Sequence, residues 1–366
     1  MADVTTLSAK ADNDPDQVAA FGRDEDDQIR VVDAPDRYAV LLNALAKGWS
    51  GTLHHEIQRL IPSDDLYLTD NFQQAERTID LLLERDYPVV FTGGGDGTVM
   101  FLVNALERRI REGRLDRSDA PLVGVLRMGS GNAIAAYLGT ESATDKLRAL
   151  RAGAPLAVYS LDMLTSDDEM FPFAGIGWDA EVLNDYEDFK EMVQGTAFEE
   201  YATGIPGYVA SVFTRTIPRV LTRNSVHVTV ENRGERAFKI DQRGEIQEEY
   251  GEGAILYDGP VQTCATASVP YWGYKIRMFP YATLRRGYCM LRCFDGSVWS
   301  VLRRLPSMWK GRLPPGTSAD FLYSHVRVET SDRPMPYQKT GEGAGHCQSV
   351  DWRVADHPIR LAAPLH

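Results

Sequence analysis

From position 38 onward the chain alternates two kinds of apolar spacing. Residues 38–43 form a short, unbroken apolar run that ends on a polar residue, and 66–69, 88–92 and 121–127 repeat the pattern. Such runs predict strands buried on both faces. Between them, apolar residues recur at helical spacing. Phe72, Ala75, Ile79, Leu82 and Leu83 predict a helix over 71–86, with Asp70 where an N-cap would stand. Further helices are predicted over 52–61 and 99–112, and from Asn132 through Tyr137. Strands alternating with helices predict an α/β N-terminal domain with a parallel, Rossmann-like sheet covered on both faces.

After about residue 155 the pattern changes. Short alternating runs at 156–163, 171–177, 225–231, 236–241, 254–257, 262–269 and 288–294 are separated by turn residues. They predict a β-rich, antiparallel sandwich domain. One helix is expected near 205–217, with Pro206 at its start, and 300–317 reads as a basic, Pro-rich loop or short helix. The polar, acidic residues 1–35 read as a disordered tail. The expected organisation is therefore 1–35 tail, 36–155 nucleotide-binding α/β domain, 156–330 β-rich substrate domain, and 331–366 a segment returning towards the N-terminal domain.

Charge narrows the function. With 366 residues and a formal net charge of −13, the chain lacks the basic balance that a nucleic-acid partner favours. Strong electrostatic adhesion to anionic membranes is excluded on the same ground. The lysines and arginines between 275 and 313 form either a local basic face or a merely solvated one. No run approaches the ~18 apolar residues of a transmembrane helix, and no signal pattern opens the chain. The four cysteines show no CxxC pair or disulfide framework and read as buried or free thiols. A cytoplasmic location is expected.

Two glycine-rich loops carry the chemistry. The 88–92 strand runs into Gly93-Gly94-Gly95-Asp96-Gly97-Thr98, directly before a helix. Glycines allow close backbone approach, and N–H groups at a helix start make an anion cradle. A carboxylate inside such a cradle would repel phosphate unless it meets Mg²⁺ or a proton. The second loop, Gly129-Ser130-Gly131-Asn132, also joins a strand to a helix, and Ser130 and Asn132 can hydrogen-bond a phosphate or nucleotide. Loops after parallel strands share one sheet edge, where α/β folds bind ligands. Neither loop is a Walker or GxGxxG motif.

These residues resemble a known family. VVFTGGGDGTVMFLVNAL is similar to the GGDGT motif of the diacylglycerol kinase catalytic domain, and GSGNAIAA to the loop that follows it, especially in sphingosine and ceramide kinases. LLNALAKG, LYLTDNFQQA, FAGIGWDAEV and YKIRMFPYATLRRG resemble further segments of that superfamily, in order, over about 37–345. The resemblance implies an NAD kinase/diacylglycerol kinase-like fold and an ATP- and Mg²⁺-dependent kinase that phosphorylates a lipid hydroxyl at a membrane surface, by peripheral contact. It implies that Gly94, Gly95, Gly97, Thr98, Gly129, Ser130, Gly131 and Asn132 hold the nucleotide, completed by Asn43 and Thr69. Asp96 would be the general base or would orient the acceptor hydroxyl. Asp179 would bind the lipid's polar head, the alternative being a turn or cap carboxylate.

The sequence also departs from the family. Ala44 replaces a proline after Asn43, and Phe101 stands where the helix usually carries a glutamate. The C-terminal Asp-Gly-Glu motif is matched only by Thr340-Gly341-Glu342, which leaves Glu342 as the candidate metal or phosphate ligand, with Asp332 and Asp351 as neighbours. The alternatives are a catalytically silent nucleotide- or lipid-binding relative and an NAD kinase-like enzyme.

Overall fold

A computed structural model describes residues 29–46, 50–129, 131–140, 142–178, 180–181, 225–273, 275–296, 316–331 and 333–365. The chain divides into two compact units, one of 24–161 with 357–366 and one built on 162–356. The helix expected near 205–217, the 300–315 segment and the tail before 29 lie outside the described residues.

The first unit is a mixed, mostly parallel sheet. Its strands are β1 (Ile29–Val32), β2 (Ala39–Asn43), β3 (Leu66–Thr69), β4 (Val89–Gly94), β5 (Leu122–Arg127), β6 (Leu156–Leu161) and β21 (Ile359–Pro364), in the order β1-β6-β21-β5-β4-β2-β3. β3, β2, β4, β5 and β21 run parallel, whereas β6 and β1 add an antiparallel edge. Helices α1 (Gly51–Leu60), α2 (Phe72–Glu84) and α3 (Asp96–Arg111) connect parallel strands, and α4 (Ala133–Tyr137) and α5 (Ala143–Arg151) lead from β5 to β6. One face of the sheet packs Val40, Leu42, Phe91 and Leu126 against Ile57 of α1 and Leu147 of α5. The opposite-facing Ala39, Leu41 and Val90 are equally buried, which is why these strands read as unbroken apolar runs. Arg109 of α3, only 3% exposed, ties α3 to α2 by donating to Asp80 at 2.6 Å and pairing with Glu76 at 3.2 Å.

Four expectations need correction. Residues 29–32, grouped by composition with the tail, pair as a strand with β6, because Ile29 and Val32 are apolar enough to shelter half-buried on that edge. Residues 156–161, read as the start of the second domain, close the first sheet instead: β6 pairs along its whole length with β21, and Leu156, Ala157 and Leu161 are buried there. Most of 333–356 stays in the second unit, and only the last strand returns to the first. The N-cap of α2 is Asn71, not Asp70, since the Asn71 side chain accepts from the Gln74 N–H at 2.8 Å. Gln74 in turn accepts from the Asp70 N–H, a variant of the capping box.

The second unit is an antiparallel sandwich, as the alternating runs predicted. It adds β7 (Leu164–Ser166), β8 (Glu169–Phe171), β9 (Phe173–Gly177), β10 (Val226–Asn232), β11 (Arg236–Ile240), β12 (Ile246–Gly251), β13 (Ile255–Val261), β14 (Thr263–Ala267), β15 (Cys289–Phe294), β16 (Ser318–Tyr323), β17 (His325–Thr330), β18 (Met335–Lys339), β19 (Glu342–Cys347) and β20 (Ser349–Val354). Among the described residues they form a six-stranded sheet, β13-β10-β17-β20-β7-β8, and an eight-stranded sheet, β12-β11-β16-β15-β14-β9-β18-β19. Inward residues of both sheets, including Val228, Val328 and Trp352 from one and Ile176, Leu291 and Phe321 from the other, share a single core.

Gly124 shows how tightly the first sheet is packed. A Cβ there would strike the ring of Phe91, which is fully buried on the neighbouring strand. Gly124→Ala is expected to cost about 1–3 kcal/mol by overpacking, read as a lowered denaturation midpoint with an unchanged m-value.

Candidate functional site

The site is built at the C-terminal edge of the first sheet. Register places Asn43 beside Thr69, Leu42 beside Gly93, and Gly94 beside Arg127. The ends of β3, β2, β4 and β5 therefore lie side by side. The connection from β2 leads to β3 on one side, and the chain then crosses back to place β4 on the other. This is a topological switch point, the position at which open α/β sheets bind ligands.

β4 passes into α3 with Gly95 alone between them, in an extended conformation at the N-cap. The helix thus begins at Asp96, earlier than the apolar spacing suggested. Asn43 bridges the switch point by donating from Nδ2 to Thr98 Oγ1 at 3.3 Å. Its Oδ1 accepts from the Leu45 N–H at 2.9 Å and holds the turn after β2. Thr69 donates from its hydroxyl to the Leu42 carbonyl at 3.3 Å, and its own carbonyl accepts from the Ala44 N–H at 2.8 Å. Asn43, Thr69 and Thr98 are thus brought together.

The two glycine loops touch. The Met128 N–H donates to the Gly94 carbonyl at 3.1 Å, carrying the β4–β5 ladder one step beyond the strands. Immediately beyond, a Cβ on Gly129 would collide with the backbone of Gly95, and one on Gly95 would meet the Gly129 Cα at 3.4 Å. Only glycine allows this approach. Asn132 adopts φ 53° and ψ 45° and is 3% exposed. Its Oδ1 accepts from the Gly129 N–H at 2.9 Å, and its Nδ2 donates to the Gly129 carbonyl. The Asn132 amide is therefore spent inside the loop, where it fixes Gly129, rather than directed at a ligand. Gly131 is partly exposed, and Ser130 lies outside the described residues.

Asp96 joins the loops. One carboxylate oxygen accepts from the Ala133 N–H at 2.8 Å and the other from the Ile134 N–H at 2.9 Å. The carboxylate thus stands at the N-termini of two helices, its own α3 and the following α4, where negative charge is favoured. It is 8% exposed. Burial pushes its pKa above the ordinary carboxylate value, against the opposing pull of the backbone N–H groups of Ile134, Ala133 and Asp96 itself. The α4 amides that might have received a phosphate are instead taken by Asp96.

Arg127 is the residue that strand-pattern reasoning passed over. It ends the buried strand β5 opposite Gly94 and is partly buried, and its side chain makes no hydrogen bond or ion pair to another described residue. A cation closing an otherwise apolar strand was the available signal. The other candidates belong to the second unit. Thr340 and Gly341, at φ 54° and 80°, form the tight turn between β18 and β19, and Glu342 begins the exposed edge strand β19. Asp351 is paired with Arg327 at 3.1 Å and His325 at 3.4 Å. Asp179 and Asp332 lie outside the described residues. Among the described residues no three His, Cys, Asp or Glu side chains gather as a metal cage.

With this geometry in view, comparison with known proteins gives a consistent family. Residues 37–161 match the diacylglycerol kinase catalytic domain family. Diacylglycerol kinase 2 of Arabidopsis thaliana is 26% identical over 175 residues, which cover 42% of this chain and 24% of that protein. The chain thus spans about a quarter of the length of that relative. Two solved structures from Bacillus anthracis str. Sterne, both described as diacylglycerol kinases, superpose with TM-scores of 0.60 and 0.57 at 14% and 12% identity. The matches cover 90% and 89% of this chain and 97% and 96% of theirs, and at these identities the likeness is one of fold. Segment 37–161 belongs to the diacylglycerol kinase catalytic-domain superfamily.

Gly129→Ala is expected to lower stability by about 1–3 kcal/mol, because the clash is with backbone that cannot move aside. Gly51→Ala, where a Cβ meets nothing within 4 Å, is the control and is expected to be neutral or mildly stabilising. Thermal unfolding of the two variants checks the contrast.

Proposed function

We propose that the protein is an ATP-dependent lipid kinase that transfers the γ-phosphoryl group to a lipid hydroxyl. The observation that carries this reading is the pair of glycine loops in backbone contact at the switch point, with a buried carboxylate at their junction. At the start of α3 the Thr98 and Val99 N–H groups donate to the Gly95 carbonyl, which leaves the Gly97 N–H to meet a phosphate oxygen, and the small loop residues let that oxygen approach. Gly94, Gly95, Gly97, Thr98, Gly129 and Gly131 form the cradle, and Asn43 and Thr69 border it. Arg127 supplies positive charge where the negative phosphates gather.

Mg²⁺ fits this site as a partner of the nucleotide rather than of a protein cage. Mg²⁺ in such sites is held by substrate phosphates and one or two carboxylates. Asp96 is the carboxylate at hand. When bound, the ion would neutralise charge on the phosphates. Glu342 as a further ligand follows only from the family resemblance.

Asp96 accepts a hydrogen bond from the acceptor hydroxyl, aligns it and takes its proton as the new phosphate ester forms. Its raised pKa suits that task, because a desolvated carboxylate is a stronger base. The sign follows: the base must be deprotonated, so kcat falls with decreasing pH, through an apparent pKa above the usual value of about 4. Stability runs the other way. A raised folded-state pKa means that the Asp96 contribution is fully present below its unfolded pKa and is lost as pH rises through the folded one.

Asp96→Asn is expected to lower kcat at least about a hundredfold. It also places an amide NH₂ against a backbone N–H, so nucleotide affinity and melting temperature should fall modestly as well. Transfer of labelled γ-phosphate to lipids in mixed micelles measures the first, and calorimetry the others. Unchanged turnover would remove Asp96 from the chemistry. Arg127→Gln is expected to raise the KM for ATP about tenfold with little change in melting temperature, and Arg127→Lys to recover part of the loss. An unaltered KM in steady-state kinetics would exclude a phosphate contact.

A second reading has its own observation: both Asp96 oxygens are already occupied by backbone N–H groups. On that reading the carboxylate is a latch, and the protein binds nucleotide without transferring phosphate. Clear ATP binding with no labelled lipid across diacylglycerol, sphingoid base, ceramide and monoacylglycerol would favour it.

A further inference from the structure

Beside the polar trio Asn43, Thr69 and Thr98 the surface is apolar where solvent contact would favour polar residues. Phe72 is 78% exposed, Leu45 72% and Leu68 38%. Phe72 is not isolated: its ring packs against that of Phe101, with centroids 5.5 Å apart and planes inclined by 51°. The two aromatics reach this spot from different helices. Phe72 is the first residue of α2, just after Thr69 at the end of β3. Phe101 follows Thr98 by three residues on α3 and so lies on the same helix face one turn further along. The sheet order β3-β2-β4 sets the aromatic pair two strand spacings, about 10 Å, from the loop that follows β4.

We propose that Phe72 and Phe101 form the platform on which the purine ring of the bound nucleotide stacks. The inference rests on the reading that nucleotide phosphates occupy the glycine loops. A ligand with a charged end and a flat aromatic end matches a sheet edge that offers an anion cradle and, about two strands away, an aromatic surface. The hydroxyl and amide groups of Thr69, Thr98 and Asn43 lie between the two, where a ribose would pass.

The test measures binding of ATP and of inorganic tripolyphosphate to the full chain by titration calorimetry. Phe72→Ala and Phe101→Ala are each expected to weaken ATP at least about fivefold and to leave tripolyphosphate unchanged, and Phe72→Trp to retain ATP affinity. Phe72 is exposed enough that its variants should melt like wild type; if Phe101→Ala fails to fold, the Phe72 pair decides alone. Wild-type ATP affinity in the alanine variants, alongside weakened ATP binding in Arg127→Gln, would overturn the platform and leave the phosphate loops standing. Failure of wild type to bind either probe would overturn the nucleotide reading and the platform with it. Loss of sedimentation with phosphatidylcholine or phosphatidylserine vesicles on Phe72→Ala, with ATP affinity intact, would reassign the patch to membrane contact and overturn the proposal.

Discussion

The backbone contact between Gly95 and Gly129 is the constraint on which the candidate site depends. Two strand-to-helix turns from adjacent parallel strands come so close that neither accepts a side chain without displacing the other. The β4–β5 ladder sets up this approach, the Asn132 amide fixes the far side, and the Asp96 carboxylate bridges to the amides of Ala133 and Ile134. Remove any of these and the loops lose their common geometry. The arrangement fixes both loops mainly by backbone hydrogen bonds, and the Asn132 and Asp96 side chains that complete it are short and lose little entropy on ordering.

The rest of the first unit serves to hold that edge still. Fully buried strands leave β4 and β5 no room to slip in register, since both faces are packed and a shift would expose apolar residues or strike Phe91 against a neighbour. Arg109 performs the same task on the helix layer. Its guanidinium sits between Asp80 and Glu76, locking α3 to α2 and thereby fixing where Thr98 and Phe101 stand relative to Thr69 and Phe72. A buried arginine is costly unless paired, and here it is paired twice. The final strand contributes from the far end of the chain: Lys146 of α5 donates to the Pro364 carbonyl at 2.7 Å, anchoring β21 in its place beside β5.

Much of this was legible in the sequence because the signals were local. Unbroken apolar runs identified β2 to β5, and a carboxylate set among glycines between a strand and a helix marked the loop. What stayed hidden depended on partners remote in sequence. Nothing in residues 156–161 says that they will pair with 359–364 rather than open the sandwich, because an alternating run fits either sheet. Residues 29–32 become a strand only because β6 offers an edge. Asn132 looked like a ligand contact because the sequence records its hydrogen-bonding groups but not that Gly129 consumes them. Phe101 looked like a lost glutamate until Phe72 was seen against it. Composition pointed the same way for loops and surface alike, and only the fold separated them.

Asp96 brings the structural and chemical demands together. A carboxylate that merely capped a helix would gain most by remaining in water-rich surroundings, with its pKa lowered by the two N–H groups it binds. Here burial outweighs them and the pKa rises. The two demands are compatible, because the backbone N–H groups of Ala133, Ile134 and Asp96 engage three of the four lone pairs and leave one. The latch fixes the carboxylate's orientation, which is what a base needs if its free lone pair is to meet a hydroxyl without reorganisation. A water-exposed Asp in the same loop would bind the same amides with a lower pKa and weaker basicity. On the proposed reading, the cost of burying the charge is the source of the base's strength.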